Sequence, residues 1–125
     1  MNLPEVRFRL AVLAFALCLL GCTREQDPRV DASRPLEQSF QATEPEVRQA
    51  VGTVTTSLKA GHYTEAARAL EPVLAGRKLT TQQKEAIGLL FQQISQAVAA
   101  NPSLDSKELY ELRCKMFRAA RGDSF

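Results

Sequence analysis

Tryptophan is absent from the 125-residue chain, histidine occurs once, and cysteine occurs three times. No His or Cys cluster stands at the spacing of metal ligands, so no metal site is expected. No glycine-rich phosphate loop and no nucleophile elbow is present, which removes the common sequence signatures of nucleotide binding and acyl transfer. Neither sign of charge is in excess: the formal net charge is +2. Setting aside Glu5, Arg7 and Arg9 of the N-terminal segment leaves +1. That balance gives no electrostatic footprint for a nucleic acid. No stretch alternates apolar and polar residues over a useful length, so no strand is expected. The hydrophobic share of 45% and charged share of 24% fit neither a disordered tail nor a multi-span membrane protein. The length allows one small domain at most.

The chain opens with Arg7 and Arg9 followed by an eleven-residue uncharged apolar run, Leu10 to Leu20. A membrane-spanning helix needs roughly 20 apolar residues. The run instead has the length of a signal-peptide core. It ends in Leu19-Leu20-Gly21-Cys22, which resembles the lipobox of bacterial lipoproteins: an aliphatic residue, a tolerant position, a small residue and an obligatory cysteine. The resemblance implies that residues 1–21 are removed between Gly21 and Cys22, taking Cys18 with them. It implies further that the Cys22 thiol carries a diacylglyceryl thioether and its new amine an acyl group. Two or more chains anchor a protein stably, at ~0.8 kcal/mol per buried methylene. The mature protein is then expected to be exported and held on a lipid bilayer facing the periplasm. Thr23, standing where an Asp would signal inner-membrane retention, points to the outer membrane.

From Cys22 to Ala42 the residues read as a flexible tether, with Pro28, Pro35, mixed charges and scattered apolar positions. The twenty residues after Cys22 would span about 25 Å on average. Phe40 is expected to dock on the domain that follows. The folded part, residues 43–120, reads as all-α: a small bundle of three or four helices, followed by a disordered tail over 121–125.

The first helix is expected at Thr43, with Glu46 completing a capping box, and buries Val47, Val51, Val54 and Leu58. Gly61 ends it in a turn. A second helix from Tyr63 carries Ala66, Ala67, Leu70, Val73 and Leu74, with a kink or end near Glu71 because Pro72 lies inside it. The third has a capping box from Thr80 and Gln83 and an apolar arc of Ile87, Leu90, Phe91, Ile94 and Val98, and it stops at Asn101-Pro102. The fourth is expected near Asp105, with Glu108 three residues on. It has one stripe of Leu109, Leu112 and Met116 and a second of Tyr110, Cys114 and Phe117. Arg113, Lys115, Arg118 and Arg121 crowd its C-terminal end, where cations suit the helix dipole.

The stretch from Leu58 to Leu70 resembles the middle of a tetratricopeptide repeat. Gly61 stands at the interhelix turn, Tyr63 at the aromatic plug and Ala66 at the close helix crossing. The resemblance covers one hairpin. Thr53 and Val54 replace a large and a small apolar residue, and Lys78 replaces the usual terminal Pro. It implies a repeat-like hairpin and, by the family's habit, contacts with other proteins.

Catalytic residues are not expected. His62 lies in the turn, Glu44 and Glu46 belong to a helix start, and Glu108 and Glu111 alternate with lysines on a solvated face. No cofactor is implied. The odd residues are Leu89, set among Gln92, Gln93 and Gln96 opposite the apolar arc, and the Tyr110, Cys114 and Phe117 stripe. They are the candidate contacts of a non-enzymatic interaction module that docks on another envelope protein. The alternative is a structural lipoprotein that forms a homodimer through its C-terminal helix, locked by Cys114. A small enzyme is the third reading, without an activated nucleophile or a paired acid and base to support it.

Overall fold

A computed structural model describes residues 29–75 and 77–123. The leader, Gly21, Cys22, the first part of the tether, Gly76 and residues 124–125 lie outside the described residues. Among those described there are five α-helices and no strand. They are α1 (Ser33–Ser39), α2 (Pro45–Lys59), α3 (Tyr63–Leu74), α4 (Thr81–Ala100) and α5 (Lys107–Arg121), with a 3₁₀ turn at Pro102–Leu104 between the last two. The domain is all-α, as the patterning indicates.

The helices close into a ring around one core. α2 packs on α3, α3 on α5, α5 on α4, and α1 lies against both α2 and α4. Leu36, Phe40, Val54, Leu70, Ile87, Leu90, Ile94, Leu109 and Met116 fill the middle. No helix among the described residues is long and apolar enough to cross a membrane.

α1 corrects the tether expected over 22–42. Ala32, Leu36 and Phe40 are buried, so the packed domain starts about ten residues earlier than its helical periodicity suggests. Seven residues are too few to show a 3.6-residue period. The segment is held instead by glutamines of α4: the Ala32 and Val30 amides donate to the side-chain oxygens of Gln93 (2.8 Å) and Gln96 (3.2 Å). The Gln83 side-chain amide donates to the Ser39 carbonyl at 3.2 Å. Asp31 accepts from the Ser33 amide at the start of the helix, and that hydrogen bond holds its carboxyl below the ordinary value.

Two helix starts shift from their expected positions. α2 is capped at Glu44, not Thr43, and begins on Pro45. Proline excludes the helical conformation from the residue before it, so Glu44 is extended (ψ 150°) and the helix cannot begin there. Thr43 turns its hydroxyl to the Phe40 carbonyl instead. α5 is capped by Ser106, whose hydroxyl accepts from the Leu109 amide at 3.1 Å. Asp105 is drawn away to Arg113 and Glu108 to Arg68. The Thr80–Gln83 box forms in both directions, at 3.0 and 3.1 Å.

α3 runs through Pro72 to Leu74. Its last turn stays helical because Val73 and Leu74 are buried on the core side while Pro72 itself is exposed. Gly61 takes φ +77° in the α2–α3 turn, donating to the Leu58 carbonyl at 3.0 Å. Gly122 takes φ +82° after α5, and Asp123 closes the cap by donating to the Arg118 carbonyl. α5 therefore ends at Arg121 with an ordered cap through Asp123, inside the stretch expected to be disordered over 121–125.

Candidate functional site

α5 is two-sided. Leu109, Leu112, Met116 and Ala119 recur at three and four residues and face the core. Tyr110, Cys114 and Phe117 recur at four and three residues and form a second stripe, turned by about 145° from the first. Tyr110 is 58% exposed and Phe117 45%, the large exposed hydrophobics among the described residues. Phe91 of α4 leans over to meet them, its ring centroid 5.5 Å from that of Phe117 at a tilt of 47°. Together with Arg113, Cys114 and Arg118 these rings line an open depression of about 310 Å³.

The electrostatics of this face are one-sided. The Arg113 guanidinium lies 6.0 Å from the Tyr110 ring centre and donates to Asp105 at 2.7 Å. Arg121 lies 5.4 Å from the centre of Phe117. Arg118 lines the depression and forms no ion pair among the described residues. Each arginine over a ring holds one aromatic face and leaves the remainder of the ring to an incoming group. Cys114 is a half-buried free thiol at the centre of the stripe. The arrangement can bind apolar surface and orient it by charge. Among the described residues no group of three or more His, Cys, Asp or Glu could hold a metal ion.

Three of the four candidate contact residues, Tyr110, Cys114 and Phe117, thus share one face. Leu89 does not join them and is not the exposed residue that its glutamine neighbours suggest. It lies one turn before Gln93, on the side of α4 that α1 covers, and it is half-buried against the core. Phe91, Arg113 and Arg118 were hidden in the sequence, the first as one more apolar arc residue and the others as helix-end cations. The readable signal was spacing: Arg113 follows Tyr110 by three residues and Arg121 follows Phe117 by four, the distances at which helical neighbours touch.

No protein-family model, curated protein or solved structure matches the chain.

The other singled-out residues are structural. Gly61 makes the hairpin turn, Tyr63 packs half-buried against the core, and Ala66 is fully buried where α2 and α3 cross. His62 is exposed and stands 3.3 Å from Glu65. Two ion pairs tie α3 to α5. Arg68 grips Glu108 with two hydrogen bonds of 2.8 and 2.9 Å, and Lys115 meets Glu71. The Arg68 hydrogen bonds hold the Glu108 carboxyl below its ordinary value, and the same contact raises the Arg68 guanidinium.

Proposed function

We propose that the chain is a membrane-anchored envelope lipoprotein whose helical domain is a non-enzymatic protein-docking module, working through the α4–α5 face. The observation that carries the docking role is the pairing of Tyr110 with Phe117, both exposed, on one basic-rimmed depression. A monomeric soluble surface seldom gathers large apolar groups without a use for them. Aromatics and arginine are also the residues enriched where protein interfaces are strongest. The resemblance of the Gly61 hairpin to a tetratricopeptide unit points the same way. The anchoring role rests on the leader and the Leu19-Leu20-Gly21-Cys22 resemblance to a lipobox, and Thr23 after the anchor favours the outer membrane, facing the periplasm.

The two roles are tested separately. Mass measurement of the mature N-terminus extracted in detergent is expected to find acylated Cys22. An unmodified soluble product, or retention of the leader, refutes the anchor. A photo-crosslinking residue in place of Phe117 is expected to give a discrete protein adduct in intact cells, while the same residue at exposed Arg48 on α2 gives none. Equal, diffuse labelling at both positions refutes the docking face.

A further inference from the structure

The stripe on α5 is nearly palindromic about Cys114. Tyr110 lies four residues before it and Phe117 three after. On the flank of the stripe away from Arg113, Glu111 lies three before it and Arg118 four after. Two antiparallel copies of a helix related by a two-fold through position 114 set residue x of one against residue 228 − x of the other (a consequence of the symmetry alone). Position 110 is then level with 118 of the second copy, so Tyr110 lies one residue, about 1.5 Å along the axis, from the second copy's Phe117, and Phe117 likewise from its Tyr110. A two-fold also brings equivalent flanks together. Glu111, level with position 117 of the second copy, therefore lies one residue from its Arg118 on the shared flank, and Arg118 one residue from its Glu111. Both groups are available: Arg118 forms no ion pair among the described residues, and Glu111 has only a marginal 4.0 Å approach to Lys107.

From this placement we propose that the occupant of the α4–α5 face is a second copy of this chain, packed α5 against α5, antiparallel, with the two-fold axis at Cys114. The proposal deepens the docking role and rests on it for the face, and on the anchor, which the mass measurement of the N-terminus tests separately, for the confinement that strengthens pairing. The depression beside Phe91 has room for an aromatic ring from the second copy. Arg113, near the axis, has its charge offset by Asp105. The like charges Lys107 and Arg121 approach only at the solvent-washed ends, where screening is strongest. A parallel arrangement would instead bring opposite flanks together at equal height, setting Glu111 beside Tyr110 and Arg118 beside Phe117 of the second copy, with no opposite charge for either. The contact stripe of a 15-residue helix is about 22 Å long and about 10 Å wide. That falls short of the ~800 Å² per partner of a standard interface. Pairing is therefore weak in dilute solution and strengthened by confinement on a bilayer. A two-fold keeps both copies at equal height along its axis, so two tethers can enter one membrane.

The test uses the full chain in membranes of expressing cells and a short bismaleimide linker, with Cys114→Ala as the blank. Wild type is expected to give a dimer through Cys114. Single cysteines are then moved along the stripe in the Cys114→Ala background, as Lys107→Cys, Tyr110→Cys, Phe117→Cys and Arg121→Cys. Antiparallel packing lengthens the same-position separation by about 3 Å for each residue from the axis. Linking should therefore fall off on both sides and vanish at 107 and 121. Chains carrying Tyr110→Cys and Phe117→Cys, co-expressed, should link to each other better than either links to itself. Arg118→Glu should reduce the Cys114 adduct by roughly fivefold, about 1 kcal/mol, and adding Glu111→Arg should restore it. Equal linking at all four stripe positions shows parallel packing and overturns the proposal. Absence of any Cys114 self-adduct also overturns it. If a Phe117 photo-adduct then contains a different protein, the docking face stands and only the identity of its occupant fails.

Discussion

Phe40→Ala separates a packed α1 from a tether most sharply. The Phe40 side chain is 2% exposed, within a core that includes Leu36 and Val47. Removing its ring forfeits the transfer free energy of a buried aromatic and leaves a cavity that neighbouring helices fill only in part. Such substitutions cost about 3–5 kcal/mol. The expected loss sits towards the lower end, about 3 kcal/mol, because α1 is a single helix of seven residues that can settle inward. In a domain of this size each kcal/mol moves the midpoint by about 4–8 °C, which makes the expected drop about 12–24 °C. Thermal and urea unfolding of the full chain, followed by circular dichroism at 222 nm, measures both quantities. Arg34→Ala, on the exposed side of the same helix, is the control and should stay within about 0.5 kcal/mol of wild type. A Phe40→Ala loss under about 1 kcal/mol would mean that residues 29–42 are not part of the cooperative unit, and the ring of five helices would be wrong.

Gly61→Ala should cost about 1–2 kcal/mol in the same assay. A new Cβ meets nothing within 4 Å, and the penalty is that of φ +77° alone; a neutral result would show that the turn relaxes. Acid should loosen the α3–α5 contact. Glu108 and Asp31 have folded-state values depressed from 4.5 and 3.8. Their contribution is whole above those ordinary values and is lost as pH falls through the lower folded ones. The stability gap between wild type and Glu108→Gln should therefore narrow from pH 6 to pH 2.5. A gap that is constant with pH would show that the Arg68 contact does not hold the carboxylate.

Periodicity and punctuation alone determined much of this protein. Apolar residues at three- and four-residue spacing placed α2, α3, α4 and α5. Thr80 with Gln83 and Gly61 marked a helix start and a turn that depend only on neighbours in sequence, which is why they could be read there. The adjacency of Tyr110, Cys114 and Phe117 was legible for the same reason, since one helix fixes it. What the tertiary structure decided was everything that needs a partner from elsewhere in the chain. Gln93 and Gln96 look like a solvated face until the amides of Val30 and Ala32 arrive to use them, and Leu89 beside them is half-buried rather than exposed. Phe91 belongs to the α4 apolar arc by spacing, yet only the packing of α5 beside α4 sets its ring against Phe117 and turns a stripe into a depression. Asp105 and Glu108 are equally plausible cap residues in sequence. Arg113 and Arg68, eight and forty residues away, draw them off and leave the cap to Ser106. Local geometry is set by bonds along the chain, whereas the use of a polar side chain is set by whichever complementary group folding brings within about 3 Å.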